Sequence, residues 1–418
     1  MKKFFLLYSN LEKDAKKLLL STFVTSIGNG VFLLTLGVKL YHLTNSIAAF
    51  GQLIIFEYFI NFLLDVFVGY FVDNVNPKKI AFLADFIRGV TICLATIVGI
   101  LTKSEAVFFL IILIINIAKP FYRSSMFTLG AIVSYGKQLK DFNFLKTTLF
   151  QVGQIIGIAA TGFILQYFNE DLALIIDGVS FIISGLLIYS IKLNININKS
   201  LKEVISFKEF TMDWKLFLLN LKNNKKFVLF MLVATIDFLK INIINMLLMP
   251  LVVSTFNNNL TYVSVFDGSY AAGCVILAPI AAFILEKSSN KWASVLSLLA
   301  SALSYYILAF SNNVLLSASM FAVLGLTNLI TGTIFMTHVQ LEGEGFVKGK
   351  IDAIRKFMLT IFSLIILPII SKASEVSVQK AFIISSIICL IYSVALFIVT
   401  HKYKSFNKTY KNEERRSI

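Results

Sequence analysis

Charge is what this chain has least of. Asp, Glu, Lys and Arg together supply 15% of its 418 residues, against about 25% in an average soluble domain. Hydrophobic residues make up 57% and the mean hydropathy is +0.81, which argues against a soluble enzyme. Proline occurs 5 times against 40 for Phe, so a disordered, Pro-rich chain is a poor reading too. The three cysteines, Cys93, Cys274 and Cys389, stand far apart, each in an apolar run. They read as small buried hydrophobes, with no disulfide framework and no metal-ligand spacing. His42, His338 and His401 form no cluster with them, and no serine-nucleophile elbow appears, so neither a metal, a cofactor nor an enzyme is expected. Acids are outnumbered 23 to 38 by Lys and Arg, a net charge of +15. In a soluble protein that excess would point to nucleic acid, whereas here membrane topology is the first account to test.

A spanning helix needs roughly 20 mostly apolar residues. Such stretches begin near Leu18, Ile47, Ile80, Glu105, Leu145 and Leu172, and again near Phe227, Tyr262, Lys291, Asn313, Ile351 and Val378. The pattern predicts an all-α membrane protein of twelve transmembrane helices in two six-helix bundles, residues 1–192 and 227–401. Residues 193–226 are a hydrophilic linker and 402–418 a charged tail. With the N-terminus inside, the inner segments hold 28 Lys and Arg and the outer loops 4, Lys39, Lys103, Lys372 and Lys380. That bias predicts both termini in the cytoplasm of a multi-pass cell-membrane protein. In the linker, Ser200 and Glu203 have capping-box spacing, and Leu201, Val204, Ile205, Trp214, Leu218 and Leu221 alternate with lysines. An amphipathic helix at the lipid interface is expected there, with a solvated linker as the alternative.

The two halves share a loop pattern. After span two the chain reads Gly69-Tyr-Phe-Val-Asp73-Asn74-Val-Asn76-Pro77-Lys78-Lys79, and after span eight Ala282-Phe-Ile-Leu-Glu286-Lys-Ser-Ser-Asn290-Lys291. In both, a small residue precedes an acid by four and a Lys follows that acid by five, as internal duplication would leave them. The first loop resembles the signature loop of the major facilitator superfamily. Ile80-Ala-Phe-Leu-Ala-Asp85-Phe-Ile-Arg88-Gly89 resembles the macrolide-efflux-type exporter branch. Asn143, Gln151-Val-Gly153, Gly157, Ile175-Ile-Asp177-Gly-Val-Ser-Phe181 and Gln340 agree with it, so the resemblance covers essentially the whole chain. Two departures stand out: Asn74 where the family usually has Arg, and Asn76-Pro77 in place of its Gly or Asp with Arg. What the resemblance implies is two bundles around a central cavity, alternating access, no ATP hydrolysis, and a cytoplasmic gate loop. Asp73, Lys78 and Lys79 are its expected charge cluster, with Gly69, Asp85, Arg88, Asp352 and Arg355 as gate residues. Gly345-Phe-Val-Lys-Gly349-Lys350-Ile is not a phosphate loop, being one residue short and lacking Ser or Thr after the Lys.

Ionisable residues inside a span are costly and mark function by default. Glu57, Asn61 and Asp65 share one face of span two, and Asn116, Lys119 and Arg123 one face of span four. Their depths predict two pairs, Glu57–Lys119 and Asp65–Arg123. Asp237, Lys240 and Asn245 share a face of span seven. Glu57, Asp65 and Asp237 are therefore candidates for proton coupling; the alternative is that they are structural ion pairs. Asn29, Asn61, Asn116, Lys119, Tyr122, Arg123, Lys240, Asn245 and Asn328 are candidates for the cavity. His338 is expected at a wet helix end. The expected function is a proton-coupled exporter of small amphipathic or hydrophobic compounds, acting as a monomer among membrane lipids. Export is taken from the resemblance and no nucleic acid is involved. A lipid-like substrate flippase or siderophore exporter, and a non-transporting sensor or immunity protein, stand as alternatives.

Overall fold

The computed structural model describes residues 2–44, 48–102, 105–134, 137–192, 207–257, 261–342 and 348–402. Every regular element among them is an α-helix. In chain order these are α1 (Lys2–Ser9), α2 (Lys13–Thr44), α3 (Ala48–Asn74), α4 (Pro77–Thr102), α5 (Glu105–Val133), α6 (Lys137–Tyr167), α7 (Glu170–Tyr189) and α8 (Phe207–Asn223). They continue as α9 (Lys225–Ala234), α10 (Ile236–Thr255), α11 (Thr261–Val275), α12 (Ala278–Lys287), α13 (Asn290–Phe310), α14 (Val314–Glu342), α15 (Lys348–Val376) and α16 (Val378–Lys402). Among the described residues eight helical segments are long and apolar enough to cross a membrane, counting α9 with α10 as one; α11 with α12, bent by 43°, makes a ninth. Helices α2, α3 and α5 run 32, 27 and 29 residues.

The scarce prolines mark starts and bends. Pro77 opens α4 directly after Asn76, whose Oδ1 accepts the Lys78 N–H at 2.9 Å. Asn as N-cap with Pro in the first turn is a favoured helix start, because both serve groups that lack intrahelical partners. The Asn76-Pro77 departure therefore has a local structural role. Pro279 opens α12 beyond the bend, while Pro120, Pro250 and Pro368 lie inside α5, α10 and α15. Each interior proline removes one backbone hydrogen bond from its helix.

Two compact units divide the chain, one holding Leu7–Phe217 with Gly343–Phe357 and the other Leu218–Glu342 with Met358–Ile418 and the first six residues. The first unit thus includes α8 as far as Phe217 and the opening turns of α15. Within it α2 packs on α6 and α7, and α4 on α5 and α7. The α2–α6 approach is backbone to backbone: a Cβ on Gly157 would lie 3.1 Å from the Gly30 Cα, and one on Gly30 2.5 Å from the Gln154 carbonyl. Small residues allow such contact between apolar helices, where lipid supplies no hydrophobic drive for association. Within the second unit α13 packs on α14 and α16, and α11 on α14.

Helix α8 lies inside the expected linker. Its Trp214, Phe217 and Leu221 are buried, while Met212, Leu216, Leu218 and Leu219 stay exposed. The Ser200–Glu203 capping pattern and residues 403–418 of the tail fall outside the described residues.

Candidate functional site

The end of α3 meets the start of α15 at two glycines. A Cβ on Gly69 would lie 2.8 Å from the Ala353 Cβ and 2.9 Å from the Gly349 carbonyl. That close approach brings the Asp73 carboxylate onto the α15 N-terminus. The Gly349 N–H donates to Oδ1 at 2.6 Å and the Lys350 N–H to Oδ2 at 3.0 Å. These amides belong to the first turn, which has no intrahelical acceptors, and a carboxylate there also meets the positive end of the helix dipole. The buried Lys350 ammonium is 3.7 Å from Asp73 Oδ2 and 2.6 Å from Asp213 Oδ2 of α8. Phe210 of α8 stacks on Phe67 at 5.2 Å and meets the Tyr70 ring edge-on at 5.2 Å. Trp214 in turn packs edge-on against Phe210 and Phe217.

The expected gate cluster is redistributed. Lys78 donates to the Ile191 carbonyl at 2.5 Å and lies over the Tyr189 ring. It serves the carbonyl end of α7 rather than Asp73, as a cation at a helix C-terminus is expected to do. Lys79 is exposed. Asp85 and Arg88 sit two to three turns into α4, buried and paired with each other. Ser184 donates to Asp85 Oδ2 at 2.6 Å, Thr25 to Ser184 at 2.6 Å, and Tyr122 to Thr25 at 3.3 Å, a hydroxyl chain ending on the carboxylate. The Arg88 guanidinium is held between the Tyr122 and Phe181 rings, 4.6 and 4.4 Å from their centroids, a desolvated cation–π arrangement. Both carboxylate oxygens of fully buried Asp177 lack hydrogen-bond partners. These two residues therefore belong to a core cluster of α2, α4, α5 and α7, not to the Asp73 contact.

A third group lies at the level of the second turns of α15. Arg123 Nη2 of α5 is 3.6 Å from Asp65 Oδ1 of α3. Asp352 is 3.1 Å from Arg355 and 2.5 Å from Lys356. Arg355 also lies over the Phe127 ring at 5.6 Å. Lys146 of α6 interacts electrostatically with Asp352, Arg355 and Lys356, and Arg123 with Asp352 and Lys356. The side chains of Asp65 and Asp352 are buried, whereas that of Arg123 is 40% exposed. Glu57, expected to pair with half-buried Lys119, has a side chain outside the described residues.

In the second unit, buried Asp237 sits in the first turn of α10. The Thr331 hydroxyl of α14 donates to Asp237 Oδ1 at 3.0 Å and accepts from Lys240 Nζ at 3.1 Å. A hydroxyl from another helix thus bridges two residues of one face, and the Tyr305 hydroxyl donates to the Lys240 carbonyl at 3.1 Å. Asn328, one turn before Thr331, has a buried Oδ1 without a partner, as does Asn61 of α3. Asn116 is buried, Asn29 half-buried and Asn245 exposed. His338 is buried with its ring edge-on to Phe230 at 4.4 Å, not at a wet helix end. Thr25, Ser184, Thr331, Lys146 and Asp213 were not singled out as site residues. For Asp213 the signal was present, since it adjoins Trp214 in the amphipathic linker.

No protein-family model matches the sequence, and no curated protein does. Solved structures are similar over nearly the full length. A bacterial homologue of the iron transporter ferroportin, in its outward-facing state, is 14% identical with a TM-score of 0.71, covering 93% of this chain and 100% of that one. The E. coli fucose:proton symporter FucP is 13% identical with a TM-score of 0.69, over 94% and 98%. The human organic anion transporter MFSD10 (TETRAN) is 10% identical with a TM-score of 0.63, over 92% and 100%. FucP is a major facilitator superfamily transporter. At these identities the likeness establishes the fold: this chain has the all-helical architecture of those transporters.

Proposed function

We propose that the chain is a secondary active transporter of the major facilitator superfamily. It carries twelve spans with both termini cytoplasmic, and exports small amphipathic or hydrophobic compounds across the cell membrane against proton entry. The observation that carries the reading is the burial of carboxylates beside cations deep in the spans: Asp65 with Arg123, and Asp237 with Lys240 through Thr331. Buried charge is retained in a membrane chiefly where protons, ions or substrates use it. The solved neighbours are described as a homologue of an iron transporter, a fucose:proton symporter and an organic anion transporter, so the fold supports transport without selecting a substrate. Export rests on the resemblance to macrolide-efflux-type exporters.

In this reading Asp73 on the α15 N-terminus is the cytoplasmic closure, and its release opens the inward-facing state. Glu57, Asp65 and Asp237 are the proton carriers. The test is pH-gradient-driven flux in proteoliposomes with a panel of amphipathic compounds. Flux that rises with the gradient and is lost in Asp237→Asn supports the proposal. Flux independent of the gradient removes the proton coupling, and no flux with any compound removes the transporter.

A further inference from the structure

The charged layer of the first unit is unbalanced. Asp65 and Asp352 are its only carboxylates among the described residues, beside Arg123, Arg355 and Lys356, and Lys146 of α6 lies at the same depth. At 1.5 Å per residue, Asp65, Arg123, Lys146 and Lys356 lie about 12–15 Å along their helices from the ends that the charge bias assigns to the cytoplasm. Four separate helices, α3, α5, α6 and α15, therefore deliver charge to one level. Arg123 is the accessible member. Its 3.6 Å separation from Asp65 is too long for a hydrogen bond, and its buried Nε has no partner. A guanidinium 40% exposed at this depth faces water or a polar guest, because hydrocarbon would not tolerate it.

An aromatic pair adjoins the cations. Phe62, one turn from Asp65, stacks on Phe357, next to Lys356, with centroids 5.6 Å apart. Phe62 keeps 38% of its surface exposed. Cations beside an accessible aromatic face fit a ligand with one anionic head and an apolar body.

We propose that this layer is the substrate site and that it selects amphipathic organic anions, carrying a carboxylate, sulfonate or phosphate head, over neutral and cationic analogues. The assignment deepens the transporter reading and rests on it for the word substrate. The anion's head engages Arg123 and the Lys146–Lys356 side, and its body lies on the Phe62–Phe357 stack. Neutral compounds gain only the stack, and cations meet repulsion.

The test is binding of a matched series to the full chain in an uncharged maltoside: 4-hexyloxybenzoate, 4-hexyloxybenzamide and 4-hexyloxybenzylammonium, read by calorimetry. The benzoate is expected to bind at least about tenfold tighter than either analogue, and Lys146→Gln to weaken the benzoate about tenfold while leaving the amide unchanged. Because removing Arg123 alone strands Asp65, the paired change Asp65→Asn with Arg123→Gln supplies the second variant, with the same expected loss. Lysophosphatidate against lysophosphatidylcholine tells a lipid anion from a soluble one. Competition with the benzoate assigns both to the site, and its absence restricts the site to soluble anions. Equal binding of all three compounds, or benzoate affinity unchanged in both variants, overturns the proposal. Benzoate binding without gradient-driven flux of any compound would sink the transporter reading alone. Flux of neutral or cationic compounds without benzoate binding would sink the anion site alone.

Discussion

Asp73→Asn tests the helix contact on which the gate reading depends. In the native chain the carboxylate accepts two N–H groups of α15 at 2.6 and 3.0 Å. Asparagine keeps one acceptor, but its amide nitrogen then confronts the second N–H, and the charge facing the helix dipole is gone. Hydrogen bonds to a charged group contribute about 1.5–3 kcal/mol each, and a neutral one about 1. Losing two charged bonds while keeping one neutral bond leaves a deficit of about 3 kcal/mol, roughly a 150-fold shift toward the separated state. Amide hydrogen exchange reads this directly, because the first-turn Gly349 and Lys350 amides have no acceptor inside α15 and depend on Asp73 for protection. Residue-resolved exchange by mass spectrometry should find these two amides exchanging about 100-fold faster in Asp73→Asn, with the middle of α15 unchanged. Asp213→Asn is the control. That carboxylate is 32% exposed and pairs with the Lys350 ammonium, whereas the two amides donate to Asp73, so its loss should move their exchange far less than the loss of Asp73. If Gly349 and Lys350 exchange at the native rate in Asp73→Asn, or if Asp213→Asn matches it, the assignment of the lock to Asp73 is wrong.

Other substitutions probe the remaining contacts. Asp85→Ala leaves Arg88 buried between two rings without its carboxylate and should cost about 3–5 kcal/mol, read as a lowered unfolding temperature in detergent; Asp85→Ala together with Arg88→Met should recover much of it. Gly157→Leu forces α2 and α6 apart, and the overpacking cost of about 1–3 kcal/mol or more should appear as loss of the monodisperse peak on gel filtration. Trp214→Ala removes the buried aromatic of α8, at about 3–5 kcal/mol for a fully packed site, and should expose the linker to limited proteolysis at protease levels that spare the native chain. Asp237→Asn keeps the Thr331 contact but removes the charge, and substrate-induced proton release should fall; unchanged release excludes Asp237 as a carrier.

One pair between spans, Asp65 with Arg123, is legible because helix regularity converts sequence offset into depth. Spans two and four enter the membrane from the same side, so counting along each places Asp65 and Arg123 at similar depth, and the structure brings them to 3.6 Å. The same arithmetic has no purchase on loops and helix ends. Lys78 turned to the nearest unsatisfied carbonyl, Ile191, which no count along one chain segment reveals. Hydroxyl partners were silent for another reason. Ser and Thr abound in these spans and most bond their own helix, as Thr22 and Ser26 do. Nothing in the sequence distinguishes them from Ser184, which crosses to Asp85. His338 was misjudged because its environment is set by Phe230 of a different helix, not by its distance from the end of α14.

Helix α5 ties two of the polar groups together. Tyr122 and Arg123 are consecutive and so point about 100° apart on the helix. One reaches the Thr25–Ser184–Asp85 chain and the Arg88 guanidinium, and the other reaches Asp65. A rotation or shift of this turn changes both groups at once. Pro120 precedes them and leaves the Asn116 carbonyl without its helical donor, which makes this the turn of α5 that deforms at least cost. Where the chain admits a proline inside α5, it therefore lies directly before the two residues that link these polar groups.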